Sequence, residues 1–301
     1  MKWKKLGQIY LCRPIDKFLE THASNPLAIF LKDNVYRVFF SGRSRENKSS
    51  VGYVDIDIIK KEIVSICNKS IFTHGNENSF FSHGVSIGNM HEINSKKYIQ
   101  FMAWQIRGKD HWRGDIARLS LSDDYGTLKL DPDKVFIGID EEDQISLSYS
   151  WVIKENNIYK MWYGSTIDWK SENGEMIHVI KYATSKDGEN WIKHGLAIPY
   201  DLGVAQAFSR PTVIKDDKGY HMWFSYRSGD GTKYRIGNAH SLDGKIWDRK
   251  KNSGIDVSDH GWDSEMICYP FVFDHKGKRY MLYNGNEYGK MGFGLAILEN
   301  I

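Results

Sequence analysis

The stretch GWDSEMICYP, residues 261–270, sets Asp263 and Glu265 two positions apart, just ahead of an apolar run that ends at Pro270. Two carboxyl groups near one substrate can divide acid–base work: one gives a proton to a leaving oxygen while the other activates water or attacks carbon. A structural role is the alternative, with Asp263 capping a turn and Glu265 paired with an arginine such as Arg210 or Arg43. Other side chains with chemical capacity are scattered along the chain: His22, Asn25, Arg43, His83, Asp143, Tyr149, Arg210 and Arg227. Guanidinium forks suit carboxylate or phosphate, because they make bidentate contacts. Residues so far apart act together only if the fold carries them to one place.

A repeat supplies such a fold. The phrases YRVFF (36–40), YIQFM (98–102), YKMWY (159–163), YHMWF (220–224) and YMLYN (280–284) begin at Tyr36, Tyr98, Tyr159, Tyr220 and Tyr280, with spacings of 62, 61, 61 and 60 residues. Each follows an apolar run and a polar turn, as in TVIKDDKGYHMWFS (212–225), which is the pattern of a β-hairpin. In IKYATSKDGENW (180–191) and IGNAHSLDGKIW (236–247) a tight turn leads on to a further strand, with Gly188 or Gly244 free to take positive φ. LSLSDDYGTL (119–128) is a degenerate copy, and IDIIKKEIVSI (56–66) mixes strand and helix signals.

Four antiparallel strands in about 61 residues, repeated five times, predict an all-β fold: one five-bladed β-propeller domain over residues 1–301. One or two β-sandwiches are the rival, but they give no reason for equal periods. After Tyr280 there is room for one more strand, GFGLAIL (292–298), so the last blade lacks its outer strand. KWKKLG (2–7) resembles NWIKHG (190–195), so residues 2–10 are expected to fill that place, close the ring and remove an exposed edge. The segments that open the first strands are THASNPLA (21–28), FSHGVSIG (81–88), DQISLSYSW (143–151), AFSRPTV (207–213) and WDSEMICYP (262–270). They converge on one mouth of the channel, where polar groups and aromatic walls would form a ligand site.

Composition narrows the function classes. The chain is 41% hydrophobic, 26% charged and 14% aromatic, with ten Trp and a net charge of +3. No block of like charges marks a nucleic-acid footprint, and no apolar run approaches the ~20 residues of a membrane span. Cys12, Cys67 and Cys268 are odd in number and far apart, which gives neither a disulfide framework nor a zinc spacing. A cytoplasmic protein with reduced thiols, no metal and no cofactor is expected; the oligomeric state is left open.

The repeat, the NP of the first inner strand, the SKDGENW hairpins and the ending GWDSEM…YP…YMLYNGN…GFGLA resemble the five-bladed-propeller glycosidases, which include glycoside hydrolase families 43 and 32. The chain is also similar to glycosidase-like proteins of bacterial surface-polysaccharide clusters. The resemblance implies a carbohydrate substrate or ligand and a set of inner-strand carboxylates: an Asp in the first blade, an Asp in the third and a Glu in the fourth. This sequence places Asn25, then Tyr149 and Ser150, then Ser209 at those positions. Two readings fit. In the first, a glycoside hydrolase or a related glycosyl-transferring enzyme acts on a bacterial polysaccharide or activated sugar with a relocated set, Glu265 with Asp143 or a histidine such as His22. Asn25, Arg43, His83, Tyr149, Arg210, Arg227 and Asp263 would then hold the substrate. In the second, the propeller binds an anionic sugar without cutting it. A protein-binding scaffold is a third reading.

Overall fold

A computed structural model describes residues 1–106 and 111–299. The N-terminal strand β1 is Trp3–Leu11. Four strands follow: β2 (Thr21–Lys32), β3 (Val35–Arg43), β4 (Ser49–Asp57) and β5 (Glu62–Ile66), so the ambiguous 56–66 stretch is strand, turn and strand. The next four are β6 (Gly84–Ile93), β7 (Lys96–Ile106), β8 (Trp112–Leu121) and β9 (Leu128–Leu130). They adjoin the first group through one parallel pairing, Ser49 with Gly84. The third unit is β10 (Ser146–Glu155), β11 (Ile158–Asp168), β12 (Ile177–Ser185) and β13 (Ile192–Leu196). The fourth is β14 (Ser209–Asp216), β15 (Gly219–Tyr226), β16 (Arg235–Ser241) and β17 (Asp248–Lys250). Then come β18 (Cys268–His275), β19 (Lys278–Asn284) and β20 (Gly292–Leu298), and β1 pairs antiparallel with β20 to make the fourth strand of that sheet. The architecture is all-β, made of propeller-like four-stranded antiparallel sheets, with one four-residue helical turn among the described residues, at Asn286–Gly289.

The periodic tyrosines fall on the second strands β3, β7, β11, β15 and β19, and all five are buried. Each Ser-x-Asp-Gly turn is held by its own side chains. The Ser185 hydroxyl accepts from Gly188 N–H at 2.8 Å, and Asp187 accepts from the amides of Glu189 and Asn190 at 2.8 Å. Ser241 and Asp243 do the same for Gly244, Lys245 and Ile246. These Asx-type bonds explain why the turn chemistry is legible in the sequence.

The match between KWKKLG and NWIKHG has a structural counterpart. Lys193 on β13 pairs with the buried Asp143 at 2.6 Å, and Lys5 on β1 pairs with the buried Asp263 at 2.7 Å. In each case a tyrosine twenty residues on donates its hydroxyl to the same carboxylate at 3.0 Å: Tyr163 to Asp143 and Tyr283 to Asp263. The outer strand of each sheet is thereby tied to the segment that opens its first strand.

The first strands also touch one another. β2 contacts β6 and β18, β10 contacts β6 and β14, and β14 contacts β18, so the five contacts make a closed cycle. Every one of these strands has a break in register at a corresponding place: Ser24/Leu27, Ile87/Met90, Ser148/Ser150, Ser209/Thr212 and Cys268/Phe271. Bulges re-aim a side chain, and Asn25, Arg210 and Tyr269 take left-handed backbone there, with φ of 57°, 49° and 53°. Arg210 reaches from β14 across the cycle. Its guanidinium donates to the carbonyls of Tyr269 and Pro270 at 2.9 Å and of Pro26 at 2.7 Å.

Candidate functional site

The mouth of this cycle is a cavity of about 390 Å³. The first unit contributes Arg43, Asn47 and Ser49, at the end of β3 and the start of β4. The second supplies Ser86 from its first strand and the indoles of Trp104 and Trp112 from the facing ends of β7 and β8. Ser148, Tyr149 and His178 come from β10 and β12, Ser209 and Arg227 from the fourth unit, and Tyr234, Tyr269 and Tyr288 complete the wall. Aromatic planes with a few convergent polar groups are the usual make-up of a small-molecule site.

The electrostatics are one-sided. Arg227 stacks on the Tyr234 ring at 4.9 Å, donates to Glu175 at 2.8 Å, and leaves its buried Nε–H without a partner among the described residues. Arg43 is held by the Asn47 side chain at 2.7 Å. Arg210 lies fully buried behind the cavity, bonded only to carbonyl oxygens, and burial brings its guanidinium down to about 10. Among the described residues, none that lines the cavity is Asp or Glu. Tyr149 is a neutral phenol: burial raises its pKa, opposed by Ser86, Arg210, Asn25 and Arg43, so its hydroxyl lies within reach of both guanidinium fields. His178 is neutral too, pushed down to about 3 by burial and by Arg227, and bonded to Ser148 at 2.6 Å and Thr166 at 2.8 Å.

The sequence-predicted residues divide three ways. Arg43, Tyr149 and Arg227 line the cavity. Asn25 and Arg210 lie close behind it. The Asn25 N–H donates to Asn284 at 2.9 Å and, among the described residues, its buried side-chain oxygen has no partner and the bonds of Arg210 are all to backbone, so these two pin units together. His83 is next to the cavity, its ring 5.7 Å from that of Trp104 and its Nδ1 accepting from Ile106 N–H at 3.2 Å.

The expected acids lie elsewhere. Glu265 is more than half exposed and paired with Lys233, so it is a solvated rim charge and does not line the cavity. Asp143 is buried between Lys181 at 2.8 Å and Lys193 at 2.6 Å, with Ser165 and Tyr163 completing its shell. Burial pushes its carboxyl up, but the two ammonium groups and Ser165 outweigh this and hold it below the usual range. It is a fixed counter-ion with no free lone pair for a substrate. Asp263 is also buried and paired, its Oδ2 accepting from Lys5 at 2.7 Å and from Tyr283 at 3.0 Å. His22 lies outside the wall and is brought down to about 4, by burial first and then by Arg43 and Lys290, so it stays neutral near pH 7.

Trp104, Trp112, His178, Tyr234, Tyr269 and Tyr288 were missed. Tyr269 had a signal, because its Tyr-Pro stands where Asn25-Pro26 and Arg210-Pro211 stand in their own units. Tyr288 had none: it enters from the turn after β19, where its φ is 59° and its carbonyl accepts from the Ser24 hydroxyl.

The fold has solved counterparts. BT0996, solved as an RGII complex, superposes with a TM-score of 0.76 at 12% identity, over 99% of this protein and 93% of that one. A putative glycoside hydrolase of Bacteroides ovatus gives 0.74 at 13% identity, over 100% and 97%. The Bombyx mori GH32 β-fructofuranosidase BmSUC1 gives 0.67 at 13% identity, over 95% of this protein and 62% of that one. No protein-family model matches the chain. In sequence, the uncharacterized protein Rv1502 of Mycobacterium tuberculosis (strain ATCC 25618 / H37Rv) is 38% identical over 303 residues, covering the whole of both proteins. This chain belongs to the same protein family as Rv1502.

Proposed function

We propose that the chain is a single five-bladed β-propeller, closed by its N-terminal strand, that binds an anionic carbohydrate in its central cavity. The kinship of its fold with glycoside hydrolases supports a sugar as the ligand. The observation that carries the anionic class is the composition of the wall. Arg43 and Arg227 enter from separate units, Arg210 adds its charge from behind, and no described lining residue is a carboxylate. A carboxylate or phosphate on a sugar would meet guanidinium donors, and the sugar faces would lie on Trp104, Trp112 and the tyrosines. The three free thiols support a reducing compartment such as the cytoplasm.

Hydrolysis is the second reading, and one observation favours it. The Glu175 carboxylate is held beside the cavity by Arg227, so an acid stands at the edge of the site although not in its wall. Calorimetric titration with galacturonate, glucuronate, glucose 1-phosphate and neutral galactose separates the two. Binding of an anionic sugar, lost in Arg43→Ala and Arg227→Ala, supports the proposal; equal binding of galactose removes it. Turnover of a glycoside panel that disappears in Glu175→Gln would replace binding with hydrolysis.

A further inference from the structure

A second hollow, of about 640 Å³, lies on the outer side of the fourth unit against the N-terminal strand. Its wall carries Lys2, Arg235, Arg249, Lys250 and Lys251 against a single acid, Asp256. Three of the cations have partners: Lys2 with Glu299, Arg235 with Asp256 and Lys250 with Asp248. Arg249 and Lys251 form no ion pair among the described residues, and the charge of Arg249 acts on the Tyr226 hydroxyl. The floor is the Phe224 and Tyr226 pair. Gly237 makes room for it, since a Cβ there would come within 2.6 Å of the Phe224 ring. This hollow is next to the central cavity. Tyr226 and Arg235 face each other across the β15–β16 ladder and line the hollow, while their chain neighbours Arg227 and Tyr234 line the central cavity.

We propose that this cleft is a second anion subsite, which takes a further carboxylate-bearing residue of an acidic oligosaccharide. The two unpaired cations supply the attraction, and the position beside the central site supplies the continuity that an oligosaccharide needs. Phe224 is fully buried, so the half-buried Tyr226 is the ring of the floor that a ligand can reach. The glycan class rests on the reading of the central cavity; the anion preference rests on the cleft alone.

The test uses the full chain carrying Arg43→Ala and Arg227→Ala, so that the central site is disabled, with trigalacturonate as the probe in calorimetry. Expected is one binding event that weakens at least tenfold when Arg249→Ala and Lys251→Ala are added, and weakens again as salt rises from about 50 to 500 mM. Arg249→Gln with Lys251→Gln repeats the measurement, and thermal unfolding checks that every variant is folded. The proposal is overturned if the doubly disabled protein binds no trigalacturonate, or if removing Arg249 and Lys251 leaves binding unchanged. It is overturned equally if inorganic phosphate or a ten-nucleotide single-stranded DNA binds as tightly as trigalacturonate. Galacturonate monomer on the chain carrying only Arg249→Ala and Lys251→Ala reports the central cavity separately, so failure of one site is distinguishable from failure of the other.

Discussion

The guanidinium of Arg210 donates to the carbonyl of Pro26 at 2.7 Å, across 184 residues of chain, and so joins the fourth unit to the first. With its bonds to Tyr269 and Pro270 it joins three first strands at the centre of the molecule. A buried cation with no carboxylate partner is costly in itself, and here it is held entirely by backbone dipoles.

Replacing Arg210 with Ala should therefore lower stability, by about 2–4 kcal/mol, because buried carbonyls are left without donors. Urea unfolding measures the loss. If Arg210 were a ligand contact only, stability would stay near that of the parent chain and sugar affinity alone would fall.

Arg227→Ala should weaken anionic sugar binding roughly 10- to 100-fold, the size of one lost charge-assisted hydrogen bond, while galactose binding, if any, is unaffected. Glu175→Gln should act in the opposite direction. Glu175 competes with the ligand for the Arg227 guanidinium, so its neutralisation should raise anion affinity several-fold. Titration calorimetry on the two variants decides the sign of each effect.

Glu265→Gln should leave both stability and binding within about 0.5 kcal/mol of the parent, as exposed ion pairs contribute little. Asp143→Asn should cost about 3 kcal/mol or more, since Lys181 and Lys193 would remain buried without their counter-ion. Thermal and urea unfolding compare the two directly; equal effects would refute the assignment of one to the rim and the other to the interior.

Acid should destabilise the chain in two windows. His22, His91 and His178 are held below the usual 6.5, at about 4, 3 and 3, chiefly by burial. The unfolded chain takes up protons first, so stability is fully present above pH 6.5 and falls as the pH drops toward those values, by up to about 1.4 kcal/mol per pH unit for each histidine. The lowered carboxyl of Asp143 adds a second loss below the ordinary Asp range. Urea midpoints at pH 7.5, 6, 5 and 4 should decline steadily; a flat profile between 7.5 and 5 would contradict the burial of these rings.

The sequence was most legible where chemistry repeats. The tyrosine pitch and the Ser-x-Asp-Gly turns are local, and each unit states them again, so Tyr159 and Tyr220 could be read without coordinates. The kinship of Lys5 and Lys193 was visible as a pattern, although its meaning, a lysine reaching a buried aspartate, was not. The surroundings of the carboxylates were hidden in the same way. Asp143 and Asp263 stand ahead of first strands, as reactive carboxylates would, but their counter-ions arrive from 38 and 258 residues away. Residue type and position do not reveal which carboxylates are already neutralised. Tyr288 and Trp112 were hidden for another reason: they reach the cavity from strand ends and turns whose direction depends on the packing of other units.

The β15–β16 hairpin is a partition with a hollow on either side. Its paired residues Tyr226 and Arg235 look outward, and the next residues, Arg227 and Tyr234, look inward. Any tilt of that ribbon widens one space as it narrows the other. A ligand that tilted the ribbon from one side would thus change the affinity on the other, and linkage would make the influence mutual, by the same factor in each direction.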